Sequence, residues 1–421
     1  MKEEEEEEVE EWPEEEEIVS DTESYDEDEN HDQDENLRDE AETTGSKTDA
    51  LVEFRRIVEE AILSNSLIVR ENDVGADYNS RLKDIIMWGV PLLPSTGHNG
   101  TDAVLLKFLK FRHYKVRKAF SSLQQTLKWR ADFLVDEDHK LAIDSLWFTN
   151  GRDNEGRPLF YTVVMRKRFA NIGDRNTNLG YFRWRIRCVE KGIQSLDFSP
   201  GGVDSFVQII DFKNAPGNVN REIRLTYKRM LTLLKEHYPG IVHTTLVVNV
   251  PAWFLAFNTL NLRYIAQKGN NRFIFVKPSK VTETLLKYAT IENILIQYGG
   301  LKRVNDTEFS MDDKVLETDI KATSTEQITI PFNEAEITVT WDVTVVGYDV
   351  TYREEFIPED DGSYKVLLQE KKMVESIRNS FYIREPGKIV ITIVNLTYAK
   401  KKVFYRYKSS PVVPVYTQTK S

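Results

Sequence analysis

The chain has one cysteine, Cys188, among 421 residues. It cannot close an intramolecular disulfide, and a reducing compartment is the expected setting. It also lacks any apolar run near the roughly 18 residues that a membrane-spanning helix needs. Six apolar residues, Ala252 to Phe257, stand together in "VPAWFLAFNTLNLRYIA" (250–266), but Asn258, Asn261 and Arg263 interrupt the stretch. Glutamates follow Met1-Lys2 without an apolar h-region, so no secretory signal peptide is expected. The sequons at Asn99, Asn305 and Asn395 then read as chance matches.

Catalytic signatures are missing as well. There is no G-x-S-x-G, no G-x-x-x-x-G-K-[ST], no G-x-G-x-x-G and no H-E-x-x-H. The six histidines are scattered; His237 and His243 flank "YPGIV" with no third ligand near, so no metal is expected. "SPGGVDSF" (199–206) leads into a strand and reads as a turn. Cys188, between Ile186 and Val189, reads as a core residue and not as a nucleophile. An enzyme has no positive support, and no cofactor is expected.

Bases are nearly absent from the first 50 residues, which hold 25 Asp/Glu and 3 Lys/Arg, a net of −22. The whole chain has 68 acids and 56 bases, so residues 51–421 hold 43 and 53, a net of +10. The acidic stretch cannot bury enough apolar area to offset chain entropy and is expected to be disordered, as a solubilising tail or as an internal competitor for the basic body. A basic body suggests an anionic partner.

What the sequence does contain falls into three further blocks. Residues 51–138 read as a helical region: "LVEFRRIVEEAILSN", "DAVLLKFLKFRHY" after Thr101 as N-cap, and "KVRKAFSSLQQTLKWRADFL", with Val116, Phe120, Leu123, Leu127 and Leu134 on one side. Residues 139–305 alternate strands (158–165, 205–212, 244–251, 272–277) with helices (181–197, 218–238). That order implies parallel crossovers and an α/β sheet. In the second helix Ile223, Tyr227, Met230, Leu234 and Tyr238 form an apolar stripe.

Residues 306–421 read as an all-β sandwich. In "EITVTWDVTV" Ile337, Val339, Trp341, Val343 and Val345 alternate with polar residues, and the phase flips at Val346-Gly347, which suggests a β-bulge or bend.

These segments resemble a known family. "DAVLLKFLKFRHYKVRKAFSSLQQTLKWRADF" is similar to the helical lead-in of CRAL-TRIO lipid-binding proteins. "FRWRIRCVEKGIQSLDFSPGGV", "QIIDFKNAPG", "LLKEHYPGIVHTTLVVNVPAWFLAFN" and "FIFVKPSKVTETLLKYATIENILIQYGG" resemble the CRAL-TRIO domain of the patellins. "TVTWDVTVVGYDVTYREEF" and "GKIVITIVNLTYAKKKVFYRYK" resemble the GOLD domain that patellins carry behind it, and an acidic tail in front suits them too. The implied architecture is multidomain: a disordered acidic N-terminus, a helical lead-in with an α/β CRAL-TRIO domain, and an all-β GOLD sandwich.

The resemblance implies a cytoplasmic, peripheral membrane protein that binds and transfers phospholipid and meets phosphoinositide-containing membranes in trafficking, with the cell plate or plasma membrane of dividing plant cells as its setting. Two alternatives stay open: a carrier of another hydrophobic molecule, tocopherol- or retinoid-like, and an adaptor whose GOLD domain binds trafficking proteins. Nucleic acid is not expected. Trp253, Phe254, Leu255 and Phe257 match the family's gate helix, and Phe160 and Tyr161 are placed in its pocket. Arg272 matches a headgroup-binding basic residue, and Arg112-His113 a second basic pair; Gly240 stands where phosphatidylinositol binders carry glutamate. Lys400, Lys401, Lys402, Arg406 and Lys408 form a candidate basic patch for an anionic bilayer.

Overall fold

The computed structural model describes residues 42–68, 85–133, 147–165, 175–214, 221–251 and 272–411. No described helix is long and apolar enough to cross a membrane. The first block supplies α1 (Glu42–Leu63), the two-residue strands β1 (Ile86–Met87) and β2 (Val90–Pro91), α2 (Thr101–Phe111) and α3 (Val116–Phe133).

In α1, Phe54, Val58, Ala61 and Ile62 repeat at helical spacing and are all buried. Asn65, at φ 57°, ends the helix in the left-handed region, where asparagine is tolerated. Thr101 is not the N-cap expected of it. Gly100 takes that position, and the Thr101 hydroxyl donates instead to the Pro91 carbonyl at 2.8 Å.

Among the described residues five strands form the central sheet in the order β3 (Trp147–Arg152), β4 (Pro158–Met165), β5 (Phe206–Asn214), β6 (Val242–Val248), β7 (Arg272–Phe275). β3 runs antiparallel to β4 and the other pairs are parallel. Residues 206–211 of β5 and all of β6 except His243 are buried, so both faces are covered there, as the largely apolar sequences of these strands predict. α4 (Arg175–Ile193) and α5 (Arg221–His237) connect the parallel strands.

Side chains alternate across a strand, so the sheet has two distinct faces. On one, Phe160, Phe206 and Val242 join a core built with residues of α1 to α5. On the other, Leu159, Tyr161, Val207, Ile209 and Leu246 pack under α6 (Val281–Leu285) and the turns that follow it.

His237, the last residue of α5, stacks on Trp129 of α3 at 4.3 Å and sits 3.2 Å from the Thr126 hydroxyl. Burial pushes its imidazole down to about 4. Above pH 6.5 the ring is neutral in folded and unfolded chains alike. Between pH 6.5 and 4 the unfolded chain takes the proton first, so stability falls across that window. The expected loss is about 1–2 kcal/mol once solvent screening of the partly exposed ring is allowed for. Thermal midpoints at pH 7 and pH 5 test this; His237→Phe, which keeps the stack, should show a smaller drop.

The third block is a sandwich of two antiparallel sheets. One has the order β13 (Ile377–Ile383), β10 (Ile337–Val345), β15 (Lys401–Pro411), β8 (Leu316–Ile320). The other has the order β12 (Val366–Met373), β11 (Val350–Pro358), β14 (Gly387–Asn395), β9 (Ser324–Phe332). Val339, Trp341 and Val343 meet Tyr352, Ile389, Ile391 and Ile393 between them. The phase flip at Gly347 is neither bulge nor bend within a strand: residues 346–349 are the turn that carries the chain from β10 in one sheet to β11 in the other. Buried Glu354 is held by three neutral donors, Trp341 Nε1 (3.0 Å), Tyr352 OH (2.6 Å) and Asn379 Nδ2 (2.7 Å).

Candidate functional site

The helix-covered face of the central sheet divides along its strands. Its lower part is the packed core already described. Towards the C-terminal ends of β4, β5 and β6 a second apolar group takes over: Val164, Ile210, Val247 and Val250, with Phe212, Phe273 and Phe275 beside them. Among the described residues, none of the helices that cover the lower part joins this strip.

The boundary between core and strip is polar and buried. Gln208 of β5 and Thr245 of β6 are register partners, and Thr162 of β4, opposite Ile210, stands one step further along the same face; the three precede Ile210, Val247 and Val164 by two residues. Arg185 of α4 reaches this row from above, with Nη1 3.3 Å from Thr162 Oγ1. From Gln208 to Phe212 the floor runs four residues, about 13 Å of strand. Such a floor can bind a long apolar group by burial alone.

The residues proposed from sequence fare unevenly. Trp253, Phe254, Leu255 and Phe257 lie outside the described residues. Phe160 and Tyr161 do not line one pocket, because neighbours on a strand point to opposite faces. Phe160 fills the lower core against Trp147 (4.8 Å) and Phe206 (4.7 Å). Tyr161 stacks on the far face between Phe148 (5.2 Å) and Tyr298 (5.5 Å). Arg272 opens β7 opposite Thr244. Arg112 caps α2 and its Nε donates to Ser122 Oγ at 2.5 Å, while the exposed His113 follows at φ 50°.

The basic patch on β15 needs correction. Arg406 is 3% exposed and belongs to a covered charge cluster on the outer face of its sheet. Its Nε and Nη2 donate to Asp342 Oδ2 (3.1 and 3.0 Å), and Nη2 also reaches the Leu301 carbonyl at 3.1 Å. Arg303 and Arg378 bond the same Asp342 carboxylate, and Arg378 forms a two-pronged pair with Asp306 at 2.7 Å on both prongs. Burial pulls the Asp306 carboxyl upward, but Arg378 and the amides of Phe309 and Glu308 outweigh it and hold it far below its usual range. The cause of the misassignment is topological: the connecting segment 301–310 folds across the outer face of this sheet and covers Arg406.

The lysines stay at the surface but are paired. Lys400 bridges to Asp319 (2.8 Å), Lys402 to Glu317 (3.2 Å) and Lys408 to Glu308 (3.6 Å). Lys401 is half-buried, and burial lowers its ammonium.

Beside them the β14–β15 turn forms a rigid tip that sequence reasoning missed. Asn395, fully buried, donates to the carbonyls of Lys321 and Ala399 (2.9 Å each), and its own oxygen accepts from the Thr397 amide and hydroxyl. The turn so held presents Leu396 and Tyr398 to solvent, 73% and 95% exposed.

The turn at residues 298–300 ties the sheet to the sandwich. Asp211 on β5 accepts from Tyr298 OH (3.0 Å) and from Asn249 Nδ2 (2.7 Å). The carbonyls of the next residues, Gly299 and Gly300, accept from the Thr344 and Ser376 hydroxyls of the sandwich at 2.9 and 2.7 Å.

Comparison with known proteins matches both blocks. The family described as CRAL/TRIO domain covers residues 144–300, and the family described as Patellin-1-like, C-terminal GOLD domain covers residues 321–402. Patellin-4 of Arabidopsis thaliana is 41% identical over 356 residues, 83% of this chain and 65% of patellin-4. The chain thus spans just under two thirds of that relative. Patellin-3 of the same plant is 33% identical over 389 residues, 88% of this chain and 76% of its own. The phosphatidylinositol transfer protein SFH5 of Scheffersomyces stipitis is 28% identical over 224 residues, 47% of this chain and 66% of its own. With a CRAL-TRIO domain ahead of a patellin-type GOLD domain and such identity over most of its length, the chain belongs to the patellin family.

Proposed function

We propose that this protein binds a phospholipid on the strip at the C-terminal ends of β4 to β7 and carries it between membranes. The observation that supports this most directly is the strip itself, apolar, floored by the sheet and apart from the packed core. The patellin relatives, and a transfer protein named for phosphatidylinositol among the relatives of the CRAL-TRIO half, support the same reading. Each acyl CH₂ removed from water contributes about 0.8 kcal/mol, so affinity needs no catalytic group. Mass spectrometry of lipid extracted from the purified chain, with vesicle-to-vesicle exchange, tests it. Co-purifying phospholipid and measurable exchange are expected; an empty protein that exchanges nothing overturns the proposal.

The proposed membrane is phosphoinositide-bearing, met peripherally from the cytoplasm, in trafficking at the cell plate or plasma membrane. The net of +10 over residues 51–421 favours an anionic surface. The Leu396/Tyr398 tip suits the bilayer interface, where aromatic rings settle at headgroup level. Leu396→Asp combined with Tyr398→Asp should weaken binding to anionic vesicles by about tenfold or more, from lost apolar burial and added repulsion. Both side chains are exposed, so the thermal midpoint should hold. Unchanged sedimentation with phosphatidylinositol 4-phosphate vesicles would remove the tip from the membrane contact.

A further inference from the structure

Arg185 sits within α4 and is 4% exposed. Its described partners are all neutral. Nη1 donates to Thr162 Oγ1 at 3.3 Å. With the Gln208 amide oxygen turned towards it, Nη1 and Nη2 lie 3.1 and 2.5 Å from that oxygen. The Trp184 ring lies 5.8 Å from Cζ. Among the described residues no carboxylate meets this guanidinium. Arg406, buried to the same degree, pairs with Asp342 and Asp306.

A guanidinium stays charged in any protein setting, and a buried charge is costly unless a counter-charge offsets it. A guanidinium also carries five N–H donors. The contacts to Thr162 and Gln208 occupy three of them, leaving two with no described partner. The place matters as much as the charge. Arg185 stands on the polar row where the packed core ends and the apolar strip begins.

We propose that Arg185 reads the phosphate of an anionic phospholipid held headgroup-inward, with the acyl chains lying along Ile210, Phe212, Val247 and Phe275. This rests on the lipid-carrier reading above and names its cargo and orientation. Thr162 and Gln208 then act as positioning residues that hold the guanidinium fork towards the strip.

The test uses the full-length chain in vesicle exchange with two fluorescent lipids of identical chains, phosphatidylinositol and diacylglycerol. Arg185→Leu should lower phosphatidylinositol transfer about tenfold or more, the scale of losing charge-assisted hydrogen bonds, and leave diacylglycerol transfer within about twofold. Gln208→Glu keeps the shape of the row and supplies an internal counter-charge. It should fold at least as stably as the parent and still lose phosphatidylinositol transfer, so the proposal stays testable if Arg185→Leu does not fold. Unchanged phosphatidylinositol transfer in Gln208→Glu, or equal loss of both lipids in a folded variant, overturns it. Inorganic phosphate that raises the thermal midpoint of the parent but not of Arg185→Leu, with phosphatidylinositol transfer alike in both, would assign the site to a soluble anion and overturn the headgroup assignment. A parent chain that moves neither lipid refutes the carrier reading itself.

Discussion

Asp342→Ala is expected to destabilise the sandwich by about 3–5 kcal/mol, the range for removing one partner of a buried ion cluster. The carboxylate is fully buried and accepts from Arg303 Nη1 (2.6 Å), Arg378 Nε and Nη2 (2.9 and 2.6 Å) and Arg406 Nε and Nη2 (3.1 and 3.0 Å). Without it, three guanidinium groups share only Asp306, and Arg406 has no route to solvent. Asp342→Asn keeps the shape but not the charge, and should lose nearly as much. Urea unfolding followed at Trp341, in the adjoining core position, reads the change. Asp342→Leu combined with Arg406→Met removes charge and counter-charge together and should recover part of the loss. Full recovery is not expected, because Arg303 and Arg378 still converge there. A single Asp342→Ala variant as stable as the parent would mean that the cluster holds nothing.

The same cluster shows where sequence reading stops. Arg378 and Arg406 lie 36 and 64 residues from Asp342, so no local pattern announces their meeting. What the sequence displays at "AKKKVFYRYK" is the density of bases along one strand, while the acids that answer them (Asp306, Glu317, Asp319, Asp342) come from other segments. Arg406 therefore reads as surface charge in the sequence, yet it is buried under the segment 301–310. Arg185 carries no local signal of its burial either. It stands between Arg183 and Arg187 in "FRWRIRC", yet Arg185 is buried and the other two are partly exposed.

Apolar periodicity was far more legible. The alternation of Ile337, Val339, Trp341, Val343 and Val345 marks the inward side of β10, and all five are buried. The runs in β5 and β6 marked strands covered on both faces, and the crossover order marked the parallel sheet. Burial is a local demand repeated every second or fourth residue, so it leaves a pattern. Charge pairing, and the division of one face into core and strip, depend on what folds over the strand from elsewhere. Phe160 and Tyr161 illustrate the difference: both were recognisable as buried strand residues, but period two already forbids them a common pocket.

Gly300→Ala should be the most damaging single-methyl change in the chain's described part. A Cβ at this position would stand 1.9 Å from the Ile294 carbonyl oxygen and 2.4 Å from its carbon. Both are backbone atoms of a turn fixed at several points: Gly300 N donates to Leu295 O (3.1 Å), Leu301 N to Ile291 O (3.0 Å) and Lys302 N to Ile294 O (2.9 Å). No side-chain rotation can relieve the clash, so the turn must open. Overpacking of a rigid site costs about 1–3 kcal/mol and more where backbone must move, and here the upper end is expected.

The consequence reaches beyond the turn. The Gly300 carbonyl accepts from Ser376, and Leu301 packs with Ile291 and Phe404 where the sheet domain meets the sandwich. Opening the turn should therefore loosen one domain from the other while each keeps its own core. Gly362→Ala is the control, since its Cβ would meet only Asp360 at 3.5 Å, an ordinary contact, and the thermal midpoint should not move. Limited proteolysis separates the outcomes: Gly300→Ala should be cut between residues 295 and 315 under conditions that leave the parent and Gly362→Ala intact. Resistance equal to the parent's would mean that the turn accommodates the methyl and that the two domains are held together by other contacts, the Asp342 cluster first among them.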